Sequence, residues 1–186
     1  VAAALSSWSV ARRTRETLYR EYRNSMEGTL FYSYWFYDTA LALGLLREQN
    51  PACRCISRAH RADLYEERRA LAYHPFTCQK IQLLDRLFLI SADGYEYLSA
   101  RYEDLTDKLE LSRLGVSPQP TAPWSPPASE LRLVSCSALT PIKRISLLLE
   151  AFTLCDIPIS WTHIGSGPLF EPLQLERLEV SRFQGL

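Results

Sequence analysis

Lys143-Arg144 bring two fixed positive charges close behind a run of small residues, Ser135-Cys136-Ser137, and upstream of the loop Gly165-Ser166-Gly167-Pro168. Lysine offers a compact point charge and arginine a planar fork, and both suit the oxygens of a phosphate or diphosphate. Small side chains and glycines let backbone N–H groups approach the same anion. A further candidate is His60, in Ser57-Arg58-Ala59-His60, whose ring can donate or accept a hydrogen bond to a hydroxyl. Together the cations, small residues and glycines suit the binding of a phosphate-bearing molecule. Plainer readings stay open: the cations as solvated residues at a helix start, and His60 as a strand-end histidine bonded to nearby backbone.

The elements that must position these groups follow from the pattern. Leu131–Cys136 reads as a strand, Ser137 to Thr140 as a polar turn, and Ile145–Cys155 as a helix with Lys143 and Arg144 in its first turn. Ile157–Ile164 reads as a second strand, in which His163 is a satisfied buried histidine. Cations and glycines then lie at strand exits, where open α/β sheets bind ligands. Basic residues at a helix start oppose the helix dipole, which an anionic ligand would compensate. The apolar Leu131, Leu133 and Val134 predict a parallel strand covered on both faces.

Upstream, Ala52–Ser57 predicts a strand, Leu64–Ala72 a helix and Arg86–Ile90 a strand. Ser91 predicts the N-cap of a helix carrying Tyr95, Tyr97, Leu98 and Tyr102, and Lys108–Leu111 a last strand. Arg58 and Asp63 are expected to shape the loop at His60. The aromatic segment Leu30–Leu46 predicts a buried helix. Its second reading is an aromatic surface that rests on a membrane interface. Pro118, Pro120, Pro123, Pro126 and Pro127 make Ser117–Ser129 a stiff extended linker.

The segments Ser57-Arg58-Ala59-His60, Asp63-Leu64-Tyr65-Glu66-Glu67, Ile90-Ser91, Ser112-Arg113-Leu114-Gly115-Val116, Ser135-Cys136-Ser137, Pro141-Ile142-Lys143-Arg144 and Trp161-Thr162-His163-Ile164-Gly165-Ser166-Gly167-Pro168 occur in the order seen in bacterial retaining glycosyltransferases of family four. From about Tyr32 to Phe170 the chain resembles the middle of such an enzyme. The resemblance implies an α/β protein of Rossmann-like strand-helix units, forming parts of two domains of a GT-B arrangement. Residues 1–116 would be the latter part of the N-terminal domain, 117–130 the Pro-rich linker, and 131–186 the start of the nucleotide-sugar-binding C-terminal domain. Further strand-helix units would then precede Val1 and follow Leu186.

By the same resemblance, Lys143 contacts the donor diphosphate, with Arg144 and Ser137 beside it, Gly165 and Gly167 form a donor loop, and His60 is the catalytic residue near the transferred sugar. The family's usual arginine just after the first strand of this domain is missing from the Ser137-Ala138 region. The implied reaction moves a sugar from a nucleotide diphosphate sugar to a glycan or lipid-linked acceptor, with retention, in cell-surface polysaccharide synthesis. No cofactor beyond the nucleotide sugar is implied. The competing reading is a catalytically inactive fragment or an interaction module derived from such an enzyme.

Composition agrees with a soluble α/β protein, at 47% hydrophobic and 23% charged residues. A formal net charge of zero gives no broad basic field, which argues against a nucleic-acid partner. Five cysteines at irregular spacing suit reduced thiols in the cytoplasm better than a disulfide framework. Cys53, Cys55, Cys78, His60 and His74 lack a second paired zinc motif, so no metal is expected. No apolar run reaches the length of a spanning helix, roughly 18 residues or more. The expected location is cytoplasmic, with the inner face of the membrane as the alternative for a lipid-linked acceptor.

Overall fold

A computed structural model describes residues 1–68, 72–118, 120–121, 130–171 and 183–184 of the chain. The chain divides into two compact units, Val1–Pro118 and Gln119–Leu186, each built as parallel strands flanked by helices. The expected α/β class is what forms.

Unit 1 runs α1 (Ala2–Tyr22), β1 (Leu30–Ser33), α2 (Asp38–Gln49), β2 (Arg54–Ala59), α3 (Arg61–Leu64), α4 (Thr77–Leu83), β3 (Arg86–Leu89), α5 (Ala92–Ser99) and β4 (Leu109–Leu111). The strands lie side by side in chain order and all pair in parallel. Right-handed crossovers between strands laid down in that order carry every connecting helix to one face. Burial alternates to match. Phe31, Cys55, Ala59, Leu87, Leu89 and Leu109 join a core with Leu43, Leu46, Ile81 and Leu98, whereas Leu30, Tyr32, Arg54 and Arg86 on the opposite face are exposed. A side chain such as Leu87, fully buried, contributes about 2 kcal/mol from apolar burial. Helix α1 packs along α2, burying only Ser7 and Ala11 among its described side chains, so its sequence carries little apolar periodicity.

Unit 2 runs β5 (Leu131–Cys136), α6 (Ile145–Thr153), β6 (Ile159–Ile164) and β7 (Phe183–Gln184), with parallel strands in the order β5-β6-β7. Leu139, Ile145, Leu149, Phe152, Ile159 and Trp161 form its core.

Several expectations are corrected. Leu30–Leu46 is not one helix: it is β1, an aromatic turn and the first part of α2, because alternating burial begins at Leu30 and Asp38 opens the helix where its charge suits the dipole. The helix expected at Leu64–Ala72 fails, since α3 stops at Leu64, Tyr65 is extended and a 3-10 turn covers Glu66–Arg68; residues 69–71 lie outside the described residues. The strand expected at Ala52–Ser57 lies at Arg54–Ala59, and Tyr102 falls beyond α5. Strand β5 is covered on one face only, and Val134 is 73% exposed on the other, because α6 and the core lie on the Leu131–Leu133 side. Most of the proline span Ser117–Ser129 and most of the charged stretch from Arg177 to Leu186 lie outside the described residues.

Candidate functional site

In unit 2 the candidate residues collect at the C-terminal ends of β5 and β6. Past β5, the Ser137 N–H donates to the Ile164 carbonyl at 3.1 Å and the Leu139 N–H to the Ser166 carbonyl at 2.9 Å. The two strand-exit loops are thereby stitched together. A Cβ on Gly165 would sit 1.9 Å from the Ser137 carbonyl oxygen, and one on Gly167 would sit 2.5 Å from that of Leu139. Glycine is needed at both positions for the close approach of the chain's own backbone in this tight turn.

Lys143 and Arg144 do not lie in the first turn of α6, as expected from the sequence. Pro141–Lys143 is a 3-10 turn, and Arg144 is the N-cap, in the left-handed region at φ 54° and ψ 41°. Pro141 cannot continue a strand, and the turn closes with the Lys143 N–H on the Thr140 carbonyl at 2.9 Å. Both cations are exposed, and neither has an ion-pair partner among the described residues. No side chain caps α6, so its first N–H groups lack a side-chain acceptor close to the two cationic residues in the chain. The arrangement concentrates positive potential at one strand exit. Ser137 is half-buried and its hydroxyl donates to the Ala138 carbonyl at 3.3 Å.

His163, near the same exit, is fully used. Its Nε2–H donates to the Ser137 carbonyl at 3.0 Å, which leaves Nδ1 to accept from the Ser135 hydroxyl at 2.8 Å. That hydroxyl in turn accepts from Trp161 Nε1 at 2.8 Å.

Unit 1 holds His60, just past β2 at the N-cap of α3. Its ring is 7% exposed, yet neither nitrogen has a partner in hydrogen-bonding geometry, Nδ1 standing 3.9 Å from Asp63 Oδ2. Trp35 and Tyr34 flank it, with ring centroids 4.2 and 4.7 Å away. Beyond it opens a cleft of about 910 Å³ whose lining includes His60, Arg61, Tyr65, Ser91, Asp93 and Tyr97. This is the exit of β2 and β3, a ligand-binding position in parallel sheets. Burial first, and then its hydrogen bond to Asp93, raise the Tyr65 hydroxyl to about 12, so Tyr65 is a neutral donor there. Ser91 caps α5, its hydroxyl accepting from the Gly94 N–H at 3.1 Å.

Asp63 does shape the His60 loop. It is 1% exposed and accepts from the Phe36 N–H at 2.7 Å and the His60 N–H at 2.5 Å. Burial raises its carboxyl above the ordinary range, and those two donors and His60 oppose the rise. Arg58 serves elsewhere, since its guanidinium reaches the Ser112 carbonyl at 2.6 Å and the Tyr32 hydroxyl at 3.0 Å. Lys80 was not singled out by the sequence reading. Its Nζ is buried, donates to the Phe36 carbonyl at 2.8 Å and lies over the Phe36 ring at 4.2 Å. A lone lysine between Gln79 and Ile81 in a short helix carries no signal of this. Cys53 and Cys55 are buried free thiols with sulfurs 3.9 Å apart.

No protein-family model matches the chain, and no curated protein matches it. Solved structures do match. One, described as the lipopolysaccharide outer core galactosyltransferase WaaB in its apo form, superposes with a TM-score of 0.67 over 96% of this chain and 48% of its own, at 14% identity. The parallel-stranded α/β fold matches that of this GT-B glycosyltransferase neighbour. At that identity the likeness is one of fold, and the chain spans about half the length of this GT-B neighbour. Among the described residues, no helix is long and apolar enough to cross a membrane.

Proposed function

We propose that this chain is part of a retaining glycosyltransferase of family four, which moves a sugar from a nucleotide diphosphate sugar to a glycan or lipid-linked acceptor in cell-surface polysaccharide synthesis. The observation that carries the reading is the GT-B fold over 96% of the chain, shared with a galactosyltransferase. The residues of unit 2 support it. Lys143, Arg144 and the uncapped start of α6 present positive charge without a competing carboxylate among the described residues, which suits a departing diphosphate. In the transfer, the bond from the sugar's anomeric carbon to the diphosphate oxygen breaks, a bond to an acceptor hydroxyl oxygen forms on the same face, and the hydroxyl's proton passes to the departing diphosphate. Lys143 and Arg144 neutralise the departing oxygens, Ser137 and the Gly165–Gly167 loop shape the donor pocket, and His60 bonds a hydroxyl of the transferred sugar. We infer a cytoplasmic enzyme that needs no cofactor beyond its nucleotide sugar.

A second reading, an inactive piece or an interaction module, draws on the exposed outer faces of both sheets. Calorimetry of the purified chain with UDP and GDP separates the two. Saturable binding of one nucleotide, weakened by about tenfold in Lys143→Ala from the loss of one charge-assisted contact, is the expected result. A cooperatively folded chain that binds neither nucleotide would favour the second reading.

A further inference from the structure

The turn Ser33–Phe36, past β1, presents aromatic rings to solvent. Tyr34 and Trp35 are 47% and 44% exposed, and Tyr32 beside them 46%. Their rings meet edge to face at 6.2 Å (Tyr32–Tyr34) and 5.8 Å (Tyr34–Trp35), and Trp35 stacks on Tyr37 at 6.3 Å. Single exposed aromatics are ordinary surface. These four adjoin one another on a backbone that is held with unusual thoroughness.

The Trp35 carbonyl accepts from the Ser33 hydroxyl at 2.6 Å and lies 3.4 Å from that of Ser57. The Phe36 N–H is taken by Asp63 and the Phe36 carbonyl by Lys80, at 2.7 and 2.8 Å. Ser33, Ser57, Asp63 and Lys80 are each no more than 5% exposed. Burying a carboxylate and an ammonium costs free energy that an apolar core would not, so these groups are retained for what they hold in place. What they hold is a rigid aromatic surface beside a buried histidine whose two ring nitrogens lack partners.

We propose that the Tyr34–Trp35 turn is a subsite that stacks on the apolar face of a pyranose ring, so that the acceptor presents a carbohydrate chain to unit 1. A pyranose has a face of C–H groups and a rim of hydroxyls. The aromatic planes match the face, and one ring nitrogen of His60, 4.2 and 4.7 Å from the Trp35 and Tyr34 rings by ring centroid, supplies the first polar partner for the rim, the other being left for the transferred sugar. Beyond it Arg61, Ser91, Asp93 and Glu67 in the cleft offer donors and acceptors for more hydroxyls. The cleft's volume of about 910 Å³ leaves room for more than one ring. A preformed surface binds a rigid ring with little ordering cost. A lipid interface would also take tyrosine and tryptophan, but the carboxylates of Asp93 and Glu67 at this cleft repel anionic headgroups.

Naming the ligand an acceptor rests on the glycosyltransferase reading, and the test keeps the two apart. The intact chain is titrated with maltotetraose and with cellotetraose by saturation-transfer NMR, for wild type, Trp35→Ala, Trp35→Phe and Tyr34→Ala. UDP binding and thermal unfolding are measured on each. The expected result is saturable contact with at least one oligosaccharide, weaker by about tenfold in Trp35→Ala and Tyr34→Ala and largely restored in Trp35→Phe, with UDP binding and Tm unchanged. A folded chain that binds neither oligosaccharide, or a Trp35→Ala variant that binds as wild type does, overturns the subsite even where UDP binds. Oligosaccharide binding without UDP binding upholds the subsite and removes support for the donor site. Trp35-dependent flotation with phosphatidylglycerol vesicles, without oligosaccharide binding, assigns the turn to a membrane and overturns the proposal.

Discussion

Each unit carries one buried histidine at or just past the C-terminal end of a parallel strand, and the two are treated in opposite ways. His163 has both ring nitrogens satisfied, by Ser135 and by the Ser137 carbonyl, and serves to lock the loop that follows β5. His60 is equally buried, has neither nitrogen satisfied and touches an aromatic turn on one side and a cleft on the other. A buried polar group without a partner is costly, and such groups concentrate where a ligand completes them. The contrast extends to charge: unit 2 keeps its cations Lys143 and Arg144 on the surface, whereas unit 1 buries Asp63 and Lys80 to fix backbone. Unit 2 resembles an electrostatic docking point, and unit 1 a shaped one.

The largest test of that contrast is Asp63→Ala. It leaves the Phe36 and His60 N–H groups unpaired in the interior, and we expect a loss of about 3 kcal/mol of unit 1 stability by urea denaturation. Lys143→Ala, by comparison, should leave unfolding within about 0.5 kcal/mol of wild type, because the side chain is exposed.

Gly165→Ala tests the stitching of unit 2. The new methyl carbon would meet the Ser137 carbonyl at 1.9 Å, and the expected cost is about 2 kcal/mol by the same measurement. Stability equal to wild type would mean that the two loops are not held as described.

The sharpest comparison uses one substitution at two sites. His163→Leu strands the Ser135 hydroxyl and the Ser137 carbonyl and should lower stability by about 2 kcal/mol. His60→Leu removes nitrogens that have no partner and should change stability by less than about 1 kcal/mol in either direction. Equal losses of stability at both positions would break the distinction drawn between them.

The smallest effect is one of pH. The Asp63 carboxyl titrates above its ordinary value of 3.8, with burial as the main cause. A raised value means that the folded state holds the proton more tightly than the unfolded state. That contribution is fully present below 3.8 and is lost as pH rises through the raised value. Acid titration of unfolding should therefore show a descending step in wild type that is absent from Asp63→Asn.

The strands β3, β5 and β6 were legible because apolar runs of the right length are bounded by turn residues, and Ser91 was legible as a cap because serine before a helix has few other uses. The aromatic stretch at Leu30 was misread as a helix because an apolar run has no period when strand, turn and helix follow without a break. Lys143 and Arg144 were legible as a pair, but not their place ahead of α6, since the 3-10 turn and the left-handed N-cap at Arg144 leave little trace in residue type.

The sequence by itself determined the α/β class, the order of most elements and the exits at which the charged and glycine-rich residues fall, because periodicity and turn chemistry are local. Only the tertiary structure decided that Phe36 is gripped by Asp63 and Lys80, 27 and 44 positions along the chain, and that Gly165 is crowded by the Ser137 backbone. It also decided which histidine is satisfied. Such facts depend on pairings between distant segments, and those are set by the closing of a parallel sheet and the packing of its helices, which no local pattern encodes.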